Sequence, residues 1–262
     1  RAQELCKHED DDAPQLFSVL NGLLNFYVTR AEFQKAHDLG EQLLVRAQKR
    51  QEPLLLVGAH FGLGMTLSVF GDFALAKKHY EQGISLYNPR QHDSQVLIFG
   101  QDPGVSCLSF NAWSLWSLGY PDQAVKRIQE AYRLAQELSH PYSLAYASSQ
   151  SAFLHQLRRE GQATQEQAEL VISLSLDQGF PFWSAYVTIL RGWARSDQGQ
   201  EEEGITEMRQ GLTAWRTVGA EAVRSHHLAL LAESYGKVGQ VDDGLAAVAE
   251  ALNHMNKTGE RF

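Results

Sequence analysis

The sequence predicts an all-α fold, a stack of about six helical hairpins. Three observations carry that prediction. The seven prolines, Pro14, Pro53, Pro89, Pro103, Pro121, Pro141 and Pro181, separate long stretches with helical periodicity that are rich in Ala, Leu, Gln and Glu. Proline is tolerated in the first turn of a helix and breaks its interior, so each proline reads as a junction. Alternating apolar and polar runs, the mark of a half-buried strand, are essentially absent. Finally, one turn-and-helix pattern recurs along the chain.

That pattern is seen in Gly71–Tyr87, Gly119–Ala135, Gly199–Trp215 and Gly239–Met255. Each copy opens on Gly and has a small residue five positions later: Ala76, Ala124, Gly204 and Gly244. A larger side chain follows four positions on (Tyr80, Ile128, Met208, Val248), then a small one three further (Gly83, Ala131, Gly211, Ala251). Upstream, a small residue precedes the Gly by seven: Gly64, Ala112, Gly192 and Ala232. A glycine at a helix end takes the left-handed conformation without a Cβ clash. Small residues let two antiparallel helices approach closely, and larger ones fill the gap to the next pair. One pair cannot bury its own apolar face, so pairs must stack.

Taken in order, the pairs are Gln15–Thr29 with Phe33–Arg50, Leu54–Phe70 with Phe73–Tyr87, and Gly104–Leu118 with Pro121–Ser139. They continue as Tyr142–Glu160 with Thr164–Gln178, Phe182–Asp197 with Glu201–Val218, and Glu221–Val238 with Val241–Asn256. Two copies are degenerate. The first has Ala31 at the turn, and the fourth, opened at Gly161, reaches its small residue Ala168 two positions late. Turn to turn, the copies start at 31, 71, 119, 161, 199 and 239. The long second interval places an insertion in residues 88–104, read as a connector whose apolar Val96–Phe99 packs back on the stack. Insertions in repeat proteins map to loops on one face, often the binding face. Residues 1–12 are expected to end a preceding repeat and 257–262 to start a following one. The whole, 1–262, reads as one repeat domain of a longer chain, because it opens on Arg1 rather than Met.

Composition narrows the function. Lys and Arg total 23 against 31 Asp and Glu, a net charge of −8 with a pI near 5.7. Nucleic-acid binders usually carry a basic face, which this balance does not suggest. No apolar run approaches the roughly 18 residues of a membrane span. Cys6 and Cys107 lie too far apart in sequence for a zinc motif and form no disulfide framework. There is no Gly-x-x-x-x-Gly-Lys-Ser/Thr loop to cradle phosphates; the nearest pair, Gly236-Lys237, is followed by Val238. Ten histidines include no His-Glu-x-x-His, and His226-His227 point about 100° apart on a helix. The acidic runs Glu201–Glu203 and Asp242-Asp243 stand at helix starts, where the macrodipole favours them. No catalytic residue, metal or cofactor is assigned.

The Gly-x-x-x-x-Ala turn with a small residue seven earlier resembles the tetratricopeptide repeat, with a longer period than its standard 34 residues. Longer helices of this kind resemble those of signal-transduction ATPases of the STAND class. The strings GQDPGVSCLSF (Gly100–Phe110), LGYPDQA (Leu118–Ala124), AQELSHPYSLA (Ala135–Ala145), HQLRREGQ (His155–Gln162), ILRGWA (Ile189–Ala194) and NKTGERF (Asn256–Phe262) carry a closer likeness. They are similar to the C-terminal repeat region of large bacterial proteins that join a class III adenylate/guanylate cyclase domain to a STAND ATPase domain. The resemblance implies a right-handed superhelical solenoid. It also implies a cytoplasmic, non-catalytic scaffold or sensor module that binds protein or peptide, or other domains of its own chain. The alternative is a sensor of a small molecule or signalling peptide, held in an aromatic concave groove.

In such stacks the first helix of each pair lines the concave surface. Counted from the turn, the groove positions select Phe61, Met65, Trp113, Trp116, His155, Arg158, Tyr186 and Trp193, with Arg159 adjacent. Trp, Tyr, Met and Arg in one concavity suit a peptide or protein surface. The same rings equally suit a packed core between long helices, and spacing does not separate the two.

Overall fold

Every proline stands at the first residue of a helix. The computed structural model describes residues 14–261, and its helices are α1 (Pro14–Thr29), α2 (Phe33–Arg50), α3 (Pro53–Val69), α4 (Phe73–Leu86), a 3₁₀ turn (Pro89–Gln91) and α5 (His92–Phe99). They continue as α6 (Pro103–Ser117), α7 (Pro121–Leu138), α8 (Pro141–Leu157), α9 (Gly161–Gln178), α10 (Pro181–Asp197), α11 (Glu201–Thr217), α12 (Arg224–Lys237) and α13 (Val241–Thr258). No strand occurs among the described residues. The fold is an all-helical stack of tetratricopeptide-like hairpins. It divides into two compact units, Arg1–Arg127 and Ile128–Phe262. The expected end of a preceding repeat, residues 1–12, lies outside the described residues.

The two helices of a hairpin play different parts. In the first unit α3 is buried all round, from Val57 through Val69, whereas its partner α4 buries only Ala76, Tyr80 and Gly83. In the second unit α8 and α10 are enclosed in the same way, and α9 and α11 bury one face. A helix apolar or small on every side belongs inside, and an amphipathic one covers it. The small residues are the points of closest approach. A Cβ added at Gly204 would lie 2.5 Å from the Gly192 carbonyl oxygen, and one at Gly192 would lie 2.8 Å from that of Gly204.

The turns set the period. Positive φ occurs at Ala31, Gly71, Gly119, Arg159, Gly199 and Gly239. The fourth turn is therefore centred on Arg159, and the register anchored on Gly161 is corrected by two residues. Gly161 is the first residue of α9, and a Cβ there would meet Asp197 at 2.8 Å. With that correction Thr164, Ala168 and Val171 take the small, large and small positions, and all three are buried. Successive turns then lie 40 residues apart, except for the interval that holds α5, which is 48. The excess equals the 8 residues of α5, so the connector carries a helix, whose Phe99 packs back on the stack while Leu97 stays exposed.

Among the first helices of the pairs, α12 alone starts without a proline. It begins at Arg224, three residues later than the expected Glu221. Val223 before it is left-handed at φ 55°, an outlier for a β-branched residue. Its N–H donates to Glu260 at 2.7 Å, and the Ser225 hydroxyl donates to the same buried carboxylate. At α13 the pattern ends on an open face, with Val241, Leu245, Val248 and Leu252 all exposed.

Candidate functional site

In the first unit the selected rings lie inside. Phe61, Met65 and Trp113 are buried, and Trp116 is half-buried. Phe61 meets Phe110 edge-on at 5.7 Å, and Trp113 packs on Phe110 and Phe73 at 5.4 and 5.9 Å. The groove positions of α1 and α3 include Ser18 and Gly58, and α5 occupies them. The Ser18 hydroxyl donates to the Ile98 carbonyl at 2.9 Å, and a Cβ at Gly58 would lie 2.1 Å from the Phe99 ring. Phe99 also meets Phe17 edge-on at 6.0 Å. The ends of this excursion are drawn together at Asp102, which is fully buried. Its carboxylate accepts from the Tyr87 hydroxyl at 2.9 Å, from the Val105 N–H at 2.8 Å, and sits 2.8 Å from His92 Nδ1.

In the second unit the corrected register moves the groove positions of α8 from His155 and Arg158 to Tyr146, Ser149, Phe153 and Gln156. Those of α12, counted from the unchanged turn at Gly239, include His226 and Glu233. These helices meet across α10: Gln156 Oε1 lies 2.8 Å from His226 Nε2, and the Phe153 ring packs on His226 at 5.2 Å. Beneath that contact Tyr186 and Trp193 are buried, Trp193 completely. Sequence reasoning missed Phe153, Gln156, His226 and Glu233. The constant 40-residue interval from Gly119 would have found Phe153 and Gln156, because it leads to Arg159, and the turn at Gly239 already gives His226 and Glu233.

Above the rings lies a charged rim at the C-terminal ends of α8, α10 and α12. Arg159 is mostly exposed, donates to both Glu233 oxygens at 2.6 Å, and stands over the Trp193 ring at 5.8 Å. Arg158 and His155 both reach Glu160, at 2.7 and 2.6 Å. The Arg158 hydrogen bond, helped by His155, holds the Glu160 carboxyl below its ordinary value. Lys237 lies 3.7 Å from Asp197 and 3.9 Å from Glu233. Three of the selected residues, His155, Arg158 and Arg159, thus share this rim.

Other titratable groups are core features. His227 is fully enclosed, with Tyr186 and Trp215 rings 5.5 and 5.7 Å away, and neither ring nitrogen has a hydrogen-bond partner. Burial holds it well below its ordinary pKa and pushes His226 down to about 4, the Arg159 charge adding to the latter. In the first unit His60 and His79 face each other, Nδ1 to Nδ1, at 3.0 Å, and burial lowers both. Among the described residues no group of three His, Cys, Asp or Glu is placed to hold a metal ion. Burial pushes the Cys107 thiol up, away from reactivity. An open groove of about 680 Å³ runs along the outer face of α11, lined by Pro181, Thr206, Arg209, Gln210, Thr213, Ala214, Thr217 and Val218. No aromatic ring lines it. No described helix is long and apolar enough to cross a membrane.

No family model matches the chain. It is 20% identical over 238 residues to an uncharacterised protein of Rhizobium meliloti (strain 1021), covering 90% of this chain. The chain spans 23% of that relative's length. Among solved structures it is similar to a Rap protein complexed with competence and sporulation factor, with a TM-score of 0.71 and 10% identity over 98% of this chain and 79% of that one. It is also similar to a STAND protein with a tetratricopeptide-repeat sensor from Pyrococcus horikoshii, at a TM-score of 0.56 and 13% identity, over 95% of this chain and 41% of that one. A third, the APC/C hetero-tetramer Cut9–Hcn1, gives a TM-score of 0.62 and 13% identity, over 97% of this chain and 41% of that one. At these identities the likeness shows the fold.

Proposed function

We propose that the chain is a non-catalytic scaffold that binds a protein or peptide segment. The observation that carries this reading is the rim of the second unit. Side chains from three successive hairpins place Arg159, Glu233, Lys237 and Asp197 within one ion-paired network, and Arg158 next to Arg159 in the chain is paired with Glu160. Such a row offers a chain segment spaced carboxylates and guanidiniums, and Arg is a favoured anchor at interfaces. Two similar folds lend support. One is described in complex with competence and sporulation factor, and the other as a tetratricopeptide-repeat sensor of a STAND ATPase. The finer reading is a cytoplasmic sensor module of a bacterial signalling ATPase or cyclase, and the strings quoted above support it. A small-molecule groove has less support, since the rings meant to line it are buried.

The chain is also read as part of a longer stack. In α4, α7, α9 and α11 the position nine beyond the turn is buried (Tyr80, Ile128, Ala168, Met208), and Tyr80 packs on Phe110 of the following hairpin at 6.0 Å. The equivalent Val248 is exposed. The helix that would cover it belongs to a further hairpin.

Affinity for a partner captured with the chain as bait tests the scaffold reading. Arg159→Ala and Arg158→Ala should each weaken binding about 30-fold, the loss expected of an anchor residue, with the melting temperature nearly unchanged. Lys126→Ala, on an exposed turn of α7, should change neither. Full affinity in both arginine variants would remove the rim from the function.

A further inference from the structure

We propose that α5 is a built-in occupant of the first unit's partner groove, and that the groove accepts in its place a short apolar helix with one aromatic anchor. The proposal rests on the scaffold reading and deepens it by naming the partner's chemistry.

Four observations lead there. First, α5 is foreign to the repeat: its 8 residues account for the single departure from the 40-residue interval. Secondly, it lies where a ligand of such a stack would lie. Ser18 on α1 and Gly58 on α3 hold the same groove position, thirteen before their turns, and both are in contact with α5. Thirdly, the contact is built like an anchor in a notch. The Phe99 ring presses on the backbone at Gly58, where any side chain would collide with it, and Phe17 closes one side. Fourthly, few groups hold it: His92 on the Asp102 carboxylate, the Ile98 carbonyl on Ser18, and the Phe99 ring. Leu97 is 84% exposed, and Phe99 is the only residue of α5 whose side chain is described as buried. A helix this short is marginal without tertiary contacts. Gly100 follows it in the left-handed conformation with no atom near its missing Cβ, so nothing packs against that hinge.

Release of α5 need not dismantle the stack. Its flanks are joined without it, through the Tyr87 hydroxyl on Asp102 and the Asp102 cap on Val105. What release uncovers is an apolar trough between α1 and α3, with a glycine floor sized for one ring. A helical segment carrying Phe and flanking aliphatic residues would fit it, as apolar helices fit the grooves of other helix-binding proteins.

The test deletes residues 92–99, which restores the 40-residue interval. It then adds a fluorescein-labelled peptide of residues 91–101 in solution. The deletion variant should keep its helical circular dichroism and bind the peptide saturably. The intact chain should bind it about tenfold more weakly or worse, because its groove is filled most of the time. A peptide with Phe99→Ala should not bind, and Gly58→Leu in the deletion variant should abolish binding without unfolding it. In hydrogen exchange, Phe99→Asp in the full chain should release residues 92–99 while α1 and α3 stay protected. A deletion variant that folds but ignores the peptide overturns the proposal. So does one that fails to fold, or a Phe99→Asp chain in which α1 and α3 lose protection together with α5. Partner affinity at the Arg158–Arg159 rim is measured on the other unit, so the two readings fail separately.

Discussion

At the scale of single residues, space and protons decide. Gly204 and Gly192 exist to let α10 and α11 touch backbone to backbone. Gly204→Ala should therefore cost about 1–3 kcal/mol, because the nearest atoms cannot swing aside. Gly22 lies inside α1 with nothing within 4 Å of its missing Cβ, so Gly22→Ala should raise stability by up to about 1 kcal/mol. Urea unfolding of the two variants checks the contrast. The histidines predict a pH dependence with a definite sign. His226 and His60 are held near 4, and burial holds His227 well below the ordinary 6.5. The unfolded chain takes up these protons first, so the stability present above pH 6.5 is lost as pH falls toward 4 and below. Replacing His227 by Phe removes two unpartnered buried nitrogens. It should stabilise by about 1–3 kcal/mol at neutral pH, and by more at pH 5. Unfolding curves at pH 7.5 and 5.0 measure both effects; a variant that keeps the full acid sensitivity would move its origin to other groups.

At the scale of elements, the pattern of small residues is the packing code. Ala76 and Ala124 are fully buried at equivalent positions, while Lys78 is exposed. Ala76→Leu and Ala124→Leu should each cost about 1–3 kcal/mol through overpacking, and Lys78→Ala should cost little. Equal melting temperatures for all three variants would mean the helices are spaced otherwise. The register slip in the fourth repeat belongs at this scale too. Gly161 drew the turn to itself because glycine is the usual left-handed residue, yet Arg159 takes that conformation. A non-glycine residue pays about 1–2 kcal/mol there, and a composition rule cannot anticipate a site where tertiary packing imposes it.

At the scale of the whole molecule, a stack of hairpins is held by contacts between neighbours, so damage should stay local. Trp193 is the largest fully buried side chain of the second unit. Trp193→Ala should cost about 3–5 kcal/mol. It should raise hydrogen exchange through α8, α10 and α12 while α1–α4 keep their protection. Exchange that rises evenly along the chain would instead mean that the two units unfold as one. The same variant separates core from surface: if Trp193 served a partner directly, affinity would fall before stability did.

Periodicity, proline placement and the glycine–small-residue spacing determined the helices, their order and their pairing, because these are local properties of backbone and side-chain size. Seven prolines marked seven helix starts, and the rings at the groove positions were left suiting a partner surface and a packed core alike. Whether those rings faced a partner or the core was not written in the spacing. That depends on whether helices two hairpins apart converge, as α8 and α12 do over Trp193, and on what an insertion does after it leaves the stack, as α5 does over Gly58. Both are outcomes of packing angles summed over many side chains, and only the tertiary structure decided them.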